Sequence, residues 1–294
     1  MSQPLRDLRP FHAVAVRMLS DARFRAAVYR DSVAALADTG LSAEERAWFV
    51  KPDPRAFAID PLRNARLLTA LLDEYPVSAL ALAEAGWRVP RFHDFFESRS
   101  FHRAVDSWES LFFAFPEWLL SRVPPDALAL RAMITLEAAL ARVRRARFAT
   151  PQLNVGEVML APSVVAVVLP GGAVALWERH HQALRASPAG VVVVIAAAIG
   201  ESPDTAKSPA APEFASALDT AAEREAVSVT ATGVNGEPQL AFIGEGLAAV
   251  LAGCRAAVPV EAFIDVAVSE GLDITESREL LEELVADGTV LTGG

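Results

Sequence analysis

The side chains with the clearest chemical potential in this 294-residue chain are five histidines, one cysteine and the adjacent acids Asp73-Glu74 and Glu282-Glu283. Two imidazoles on one ion would make a metal centre. His180 and His181, however, are neighbours on a helical stretch and point to different faces. His93 and His102 lie nine apart on either side of a break, and no histidine has the spacing a zinc protease needs. Cys254 stands alone, which excludes an internal disulfide and a cysteine-based zinc site and predicts a buried structural thiol. Each acid pair is a pair in sequence only, since adjacent helical positions diverge, so neither is expected to share acid–base work. Pro170-Gly171-Gly172 and Gly244-Glu245-Gly246 lack the Lys-Ser/Thr ending of a phosphate loop and the spacing of a dinucleotide loop, and read as turns. These residue types point to binding rather than catalysis, with no metal and no cofactor expected in this chain.

Charge narrows what is bound. Residues 1–150 hold 21 Lys/Arg and 18 Asp/Glu, net +3, whereas residues 151–294 hold 6 and 19, net −13. Beyond Arg255 the only cation is Arg278. A duplex presents one negative charge per about 1.7 Å and is gripped by Lys and Arg, so no nucleic-acid partner is expected for this half. With 52% hydrophobic residues the chain can fill two cores. Its most apolar run, Gly190 to Ile199, is about half the length of a membrane span, so it reads as a buried strand over Val191 to Ile195 and no membrane is expected. The first residues show no secretory signal, and a cytoplasmic protein is expected.

These side chains must be positioned by an α+β architecture. Up to residue 149 apolar residues recur at helical spacing over Phe11 to Leu19, Phe24 to Leu36, Ala43 to Phe49, Pro61 to Leu72, Ser78 to Ala85, Pro90 to Glu97, Trp108 to Leu120 and Asp126 to Arg147. The reading is an all-helical domain over 1–149. Thr150-Pro151 opens a second, small, winged-helix-like α+β domain over 150–294, with a strand over Val158 to Leu169, a helix over Val174 to Leu184 and a flexible insertion near 200–225. Val227 to Thr232 and Gln239 to Ile243 alternate at period two around Asn235-Gly236, predicting a hairpin. Helices follow over Glu245 to Ala252, Val260 to Ser269 and Thr275 to Ala286, the last with Leu280, Leu281, Leu284 and Val285 on one stripe and an acidic outer face.

Two stretches carry a family resemblance. Leu41 to Phe49 (LSAEERAWF), Asp53 to Phe57 (DPRAF), Arg63 to Arg66 and Leu71 to Pro76 (LLDEYP) resemble the helical domain of partner subunits of multinuclear non-haem iron-dependent oxidative enzymes, which modify ribosomally made peptides. Val260 to Ser269, Gly271-Leu272-Asp273 and Leu280 to Val290 (LLEELVADGTV) are similar to the peptide-recognition domain typified by the chaperone of pyrroloquinoline quinone biosynthesis. Together they cover about two thirds of the chain, and the insertion over 200–225 departs from a compact recognition domain.

The resemblance implies that the leader of a precursor peptide adds as a strand to the small sheet beside the last helix, touching Val229, Ala231, Leu240, Phe242, Arg278, Leu281, Glu282 and Val285. It implies that the helical half docks an iron oxygenase, which holds the iron. Docking is placed on Trp48, Asp53, Arg55, Arg66 and Tyr75, and on the aromatic-rich stretches at Phe92, Phe96 and Trp108. Two rivals stand beside this reading: a winged-helix transcriptional regulator, and an accessory subunit of a ring-cleaving dioxygenase.

Overall fold

The computed structural model describes residues 7–58, 60, 62–146, 151–187, 195, 199–200, 223–232 and 237–293. The chain is α+β, helical in its N-terminal part with two three-stranded antiparallel sheets toward the C-terminus. It divides into two compact units, Met1–Arg122 with Ser187–Ala210, and Val123–Ala186 with Ala211–Gly294.

In the first unit short helices follow one another because capping residues and prolines punctuate the apolar pattern. They are α1 Arg9–Ser20, α2 Ala22–Arg30, α3 Ser32–Ala35, α4 Ala43–Val50, α5 Arg63–Glu74, α6 Pro76–Glu84, α7 Val89–His93, α8 Arg99–Ser107 and α9 Leu111–Arg122. The helix expected over Phe24 to Leu36 is two, because the Asp31 carboxylate accepts the Ala34 N–H at 3.0 Å and caps a new start. Ser42 and Glu45 form the capping box that opens α4. α6 is buried from Val77 to Ala83, as a helix apolar all round must be. Trp108, expected to begin a helix, instead ends α8 in the left-handed region at φ 59°, and α9 begins at Leu111.

The core of this unit is aromatic. The Phe95 ring centroid lies 5.6 Å from Phe96, 5.6 Å from Phe101, 5.1 Å from Phe115 and 5.5 Å from Trp118, mostly in edge-to-face or tilted geometry. A second cluster joins Val14, Met18, Phe24, Val28, Leu36, Leu41 and Phe49. The α1–α2 junction is held by Asp21, whose carboxylate accepts the Phe24 N–H at 2.8 Å and meets His102 Nε2 of α8 at 2.8 Å. Burial alone would raise the Asp21 pKa, but the His102 bond and the backbone N–H groups of Phe24 and Arg23 hold it below the ordinary carboxylate range. A carboxylate depressed on folding stabilises above its unfolded pKa and loses that contribution as pH falls through its folded one. Asp21→Ala is therefore expected to cost roughly 2–4 kcal/mol in urea unfolding at neutral pH, with the gap to wild type closing in acid.

The second unit begins earlier than the composition change near residue 150 suggests. Helix α10, Leu128–Arg145, packs on the strands that follow it, so it belongs with them. Those strands are β1 Glu157–Leu160 and β2 Val164–Pro170, then helix α11 Ala173–Ala186, β3 Arg224–Thr232 and β4 Glu237–Ile243. Helix α12 Glu245–Gly253, β5 Val258–Pro259, α13 Val260–Ser269, α14 Ile274–Ala286 and β6 Val290–Thr292 complete it. The single strand expected from Val158 to Leu169 is two, because Pro162 sits in a turn closed by Val164 N–H to Ala161 O at 2.8 Å. Its halves enter different sheets, β5-β1-β6 and β2-β3-β4.

The hairpin strands pair as expected, with Val227 opposite Phe242 and Val229 opposite Leu240, while the Asn235-Gly236 turn lies outside the described residues. The insertion over 201–222 lies outside them too. Of the strand expected at Val191 to Ile195, only Ile195 is described; it is helical and buried, as is Ile199, since a short apolar run does not separate a buried strand from a buried helix. Glu225 of β3 caps α11, accepting from Gly172 N–H at 3.1 Å and Val174 N–H at 2.6 Å.

Candidate functional site

Alternation of side chains across β2-β3-β4 gives the sheet two faces. Val164, Ala166 and Ala226 share a core with Ala248, Val250 and Leu251 of α12, with Ile243 packed against it. The other face carries Val165, Val167, Leu169, Val227, Val229, Leu240 and Phe242 and lies against α10, which packs on all three strands. Covered on both sides, β3 buries Ala226 to Val229 completely or nearly so.

The eight residues placed on a peptide surface therefore do not form one patch. Val229 is corrected to core, because the middle strand is covered on both faces. Ala231 lies on the same strand, paired with Pro238, and its side chain lies outside the described residues. Leu240 is half-buried and Phe242 is 68% exposed, both on the outer strand β4. Leu281 and Val285 of α14 pack against the core on the α12 side of the sheet, and Arg278 and Glu282 are exposed on the same helix. What comes together is Leu240 with Phe242, on the α10 face.

The edges decide which strand can take a partner. An open edge presents unpaired N–H and C=O groups, and proteins commonly cover it. On β2 the Ala166 carbonyl accepts Arg255 Nη2 at 2.7 Å, so a side chain occupies that edge. β5 and β6 are 2 and 3 residues long. β4 is 7 residues long and, among the described residues, pairs only with β3. Arg255 was not singled out by the sequence reading, although it is a lone cation in an acidic stretch.

In the helical unit Trp48, Asp53, Arg55, Arg66 and Trp108 are exposed. Trp48 carries Lys51 Nζ over its ring at 4.6 Å, and Arg66 pairs with Asp60. Tyr75, Phe92 and Phe96 are corrected to core: the Tyr75 hydroxyl donates to the Phe112 carbonyl, Phe92 packs on Trp87 at 5.3 Å, and Phe96 joins the Phe95 cluster. Large aromatics bury the most apolar area per side chain, and at these positions they fill the core.

Trp177 and His181 stack at 4.6 Å, and Trp177 Nε1 donates to the buried Glu137 at 3.3 Å. Burial and then neighbouring arginines hold the pKa of His180 and of His181 below the usual range. Among the described residues no group of three or more His, Cys, Asp or Glu is placed to hold a metal ion, and no helix is long and apolar enough to cross a membrane. Cys254 is buried, and desolvation pushes its thiol up to about 11. At pH 8 about one thiol in a thousand is then ionised, so a disulfide reagent is expected to leave the native chain unlabelled and to titrate one thiol in denaturant. No family model matches the chain, and no curated protein matches it.

Proposed function

We propose that this chain is a non-catalytic accessory protein that holds the leader of a ribosomal precursor peptide as an added strand on β4 and presents its core to an iron-dependent peptide-modifying oxygenase. The observation that carries the peptide part is the β4 edge, 7 residues that among the described residues pair only with β3, with Phe242 68% exposed. The oxygenase part is supported by the resemblance of Leu41 to Phe49 and its neighbouring segments, and by the exposure of Trp48, Asp53, Arg55, Arg66 and Trp108. Tethering would raise the local concentration of the core peptide at the partner's iron without chemistry in this chain.

A winged-helix regulator fits less well. The exposed surface of α14 carries Glu276, Glu279, Glu282 and Glu283 against Arg278, a charge that repels phosphate. An accessory subunit of a ring-cleaving dioxygenase would leave the second unit without a role. A tagged pull-down from native extract, with mass spectrometry and iron analysis of the eluate, is expected to return an iron-containing oxygenase and a short peptide at near-equal stoichiometry. Recovery of the chain alone, iron-free, or with DNA rejects the proposal.

A further inference from the structure

We infer that the peptide pairs with β4 in a single phase, through the backbone groups of Leu240 and Phe242, and is read as an apolar-x-apolar segment on the α10 face rather than beside α14. This deepens the peptide-binding proposal and rests on it.

Three observations set the phase. In an antiparallel ladder each residue sends its N–H and C=O to the same side, and bonded pairs alternate with non-bonded ones. Pro238 has no N–H and faces Ala231, so that pair is of the non-bonded kind. By alternation Gln239 and Ala241 bond inward to Thr230 and Ser228, while Leu240 and Phe242 turn outward. Pro170 opposite Arg224 imposes the same alternation on β2, making Ala166 outward and Val165 and Val167 inward. The Ala166 carbonyl is indeed the one Arg255 reaches from outside, at 2.7 Å. Val227 and Val229 then direct their backbone groups to Val167 and Val165, which leaves their β4 neighbours Phe242 and Leu240 facing outward.

An incoming strand therefore meets the N–H and C=O of Leu240 and of Phe242, and the C=O of Pro238. Its residues opposite Leu240 and Phe242 fall on the same face as those side chains. Two apolar side chains, two residues apart, would cover the exposed Phe242 ring and the half-buried Leu240. The residue between them points to the α12 face at Ala241, which is small and exposed. Leu281 and Val285 of α14 are engaged in the core of that opposite side and offer no such contact. A peptide is favoured over a second copy of the chain because β4 pairing with β4 would bring two acidic halves together, each net −13 over residues 151–294.

Amide hydrogen exchange by NMR on the free full-length chain reads the phase without any ligand. Leu240 and Phe242 amides are expected to exchange at least roughly tenfold faster than those of Gln239 and Ala241; equal rates or the reverse order overturn the phase. The chain is then panned against displayed random peptides of up to about ten residues, an ordinary strand length, and the strongest binder is synthesised. An apolar-x-apolar consensus whose binding slows Leu240 and Phe242 supports the inference. Protection on α14 instead, no enriched peptide, or protection in the free chain that grows with its concentration, as a second copy would give, overturns it. The phase is decided on the free chain, whereas the peptide-presenting proposal is decided by the pull-down, so the two can fail separately.

Discussion

Truncating Phe95 to alanine is expected to remove about 3–5 kcal/mol from the stability of the helical unit, the range for a large aromatic deleted from a packed core. Phe95 is fully buried and its ring meets those of Phe96, Phe101, Phe115 and Trp118, with centroids 5.1 to 5.6 Å away. Four aromatic neighbours lose a partner at once, and rings of that size do not collapse into the void. Urea unfolding followed by tryptophan fluorescence checks this, since Trp118 and Trp87 report from the same core, 5.8 Å apart. Phe95→Leu should recover most of the loss by retaining volume. A loss below about 1 kcal/mol for the alanine variant would mean that the cluster is not the core of this unit.

Phe242→Lys is expected to weaken peptide binding by roughly ten- to hundredfold, because covering a phenylalanine side chain contributes about 1.5–3 kcal/mol and a lysine forfeits it. Folding should be nearly unaffected, since the ring is 68% exposed before any partner arrives. Edge lysines are also a common natural device against strand pairing, so the same change should further disfavour the added peptide strand. Glu282→Lys supplies the contrast. It lies on exposed α14, and it should alter affinity only by a small, salt-dependent amount. Titration of a fluorescent peptide into both variants, with thermal melts alongside, separates the outcomes. A larger loss from Glu282→Lys than from Phe242→Lys would return the binding surface to the C-terminal helix.

Local chemistry alone determined much of this protein. The helical periodicity before residue 122, the Ser42–Glu45 capping box, the β3–β4 hairpin strands, the last three helices and the acidic balance of the second half are properties of neighbouring residues, and each is legible without a fold. Tertiary structure decided what depends on residues distant in sequence. It joined α10 to the sheet unit, sent β1 and β2 into different sheets around Pro162, and turned Tyr75, Phe92, Phe96 and Val229 from candidate contacts into core. An aromatic or β-branched residue carries the same apolar signal whether it faces a neighbour or a partner, so burial cannot be read from its type. Arg255 occupies the β2 edge at Ala166, 89 residues away in sequence, whereas among the described residues β4 pairs only with β3 and leaves Phe242 68% exposed. Sequence supplied a strand able to accept a partner, and only the fold placed it at the edge of its sheet, where among the described residues it pairs only with β3.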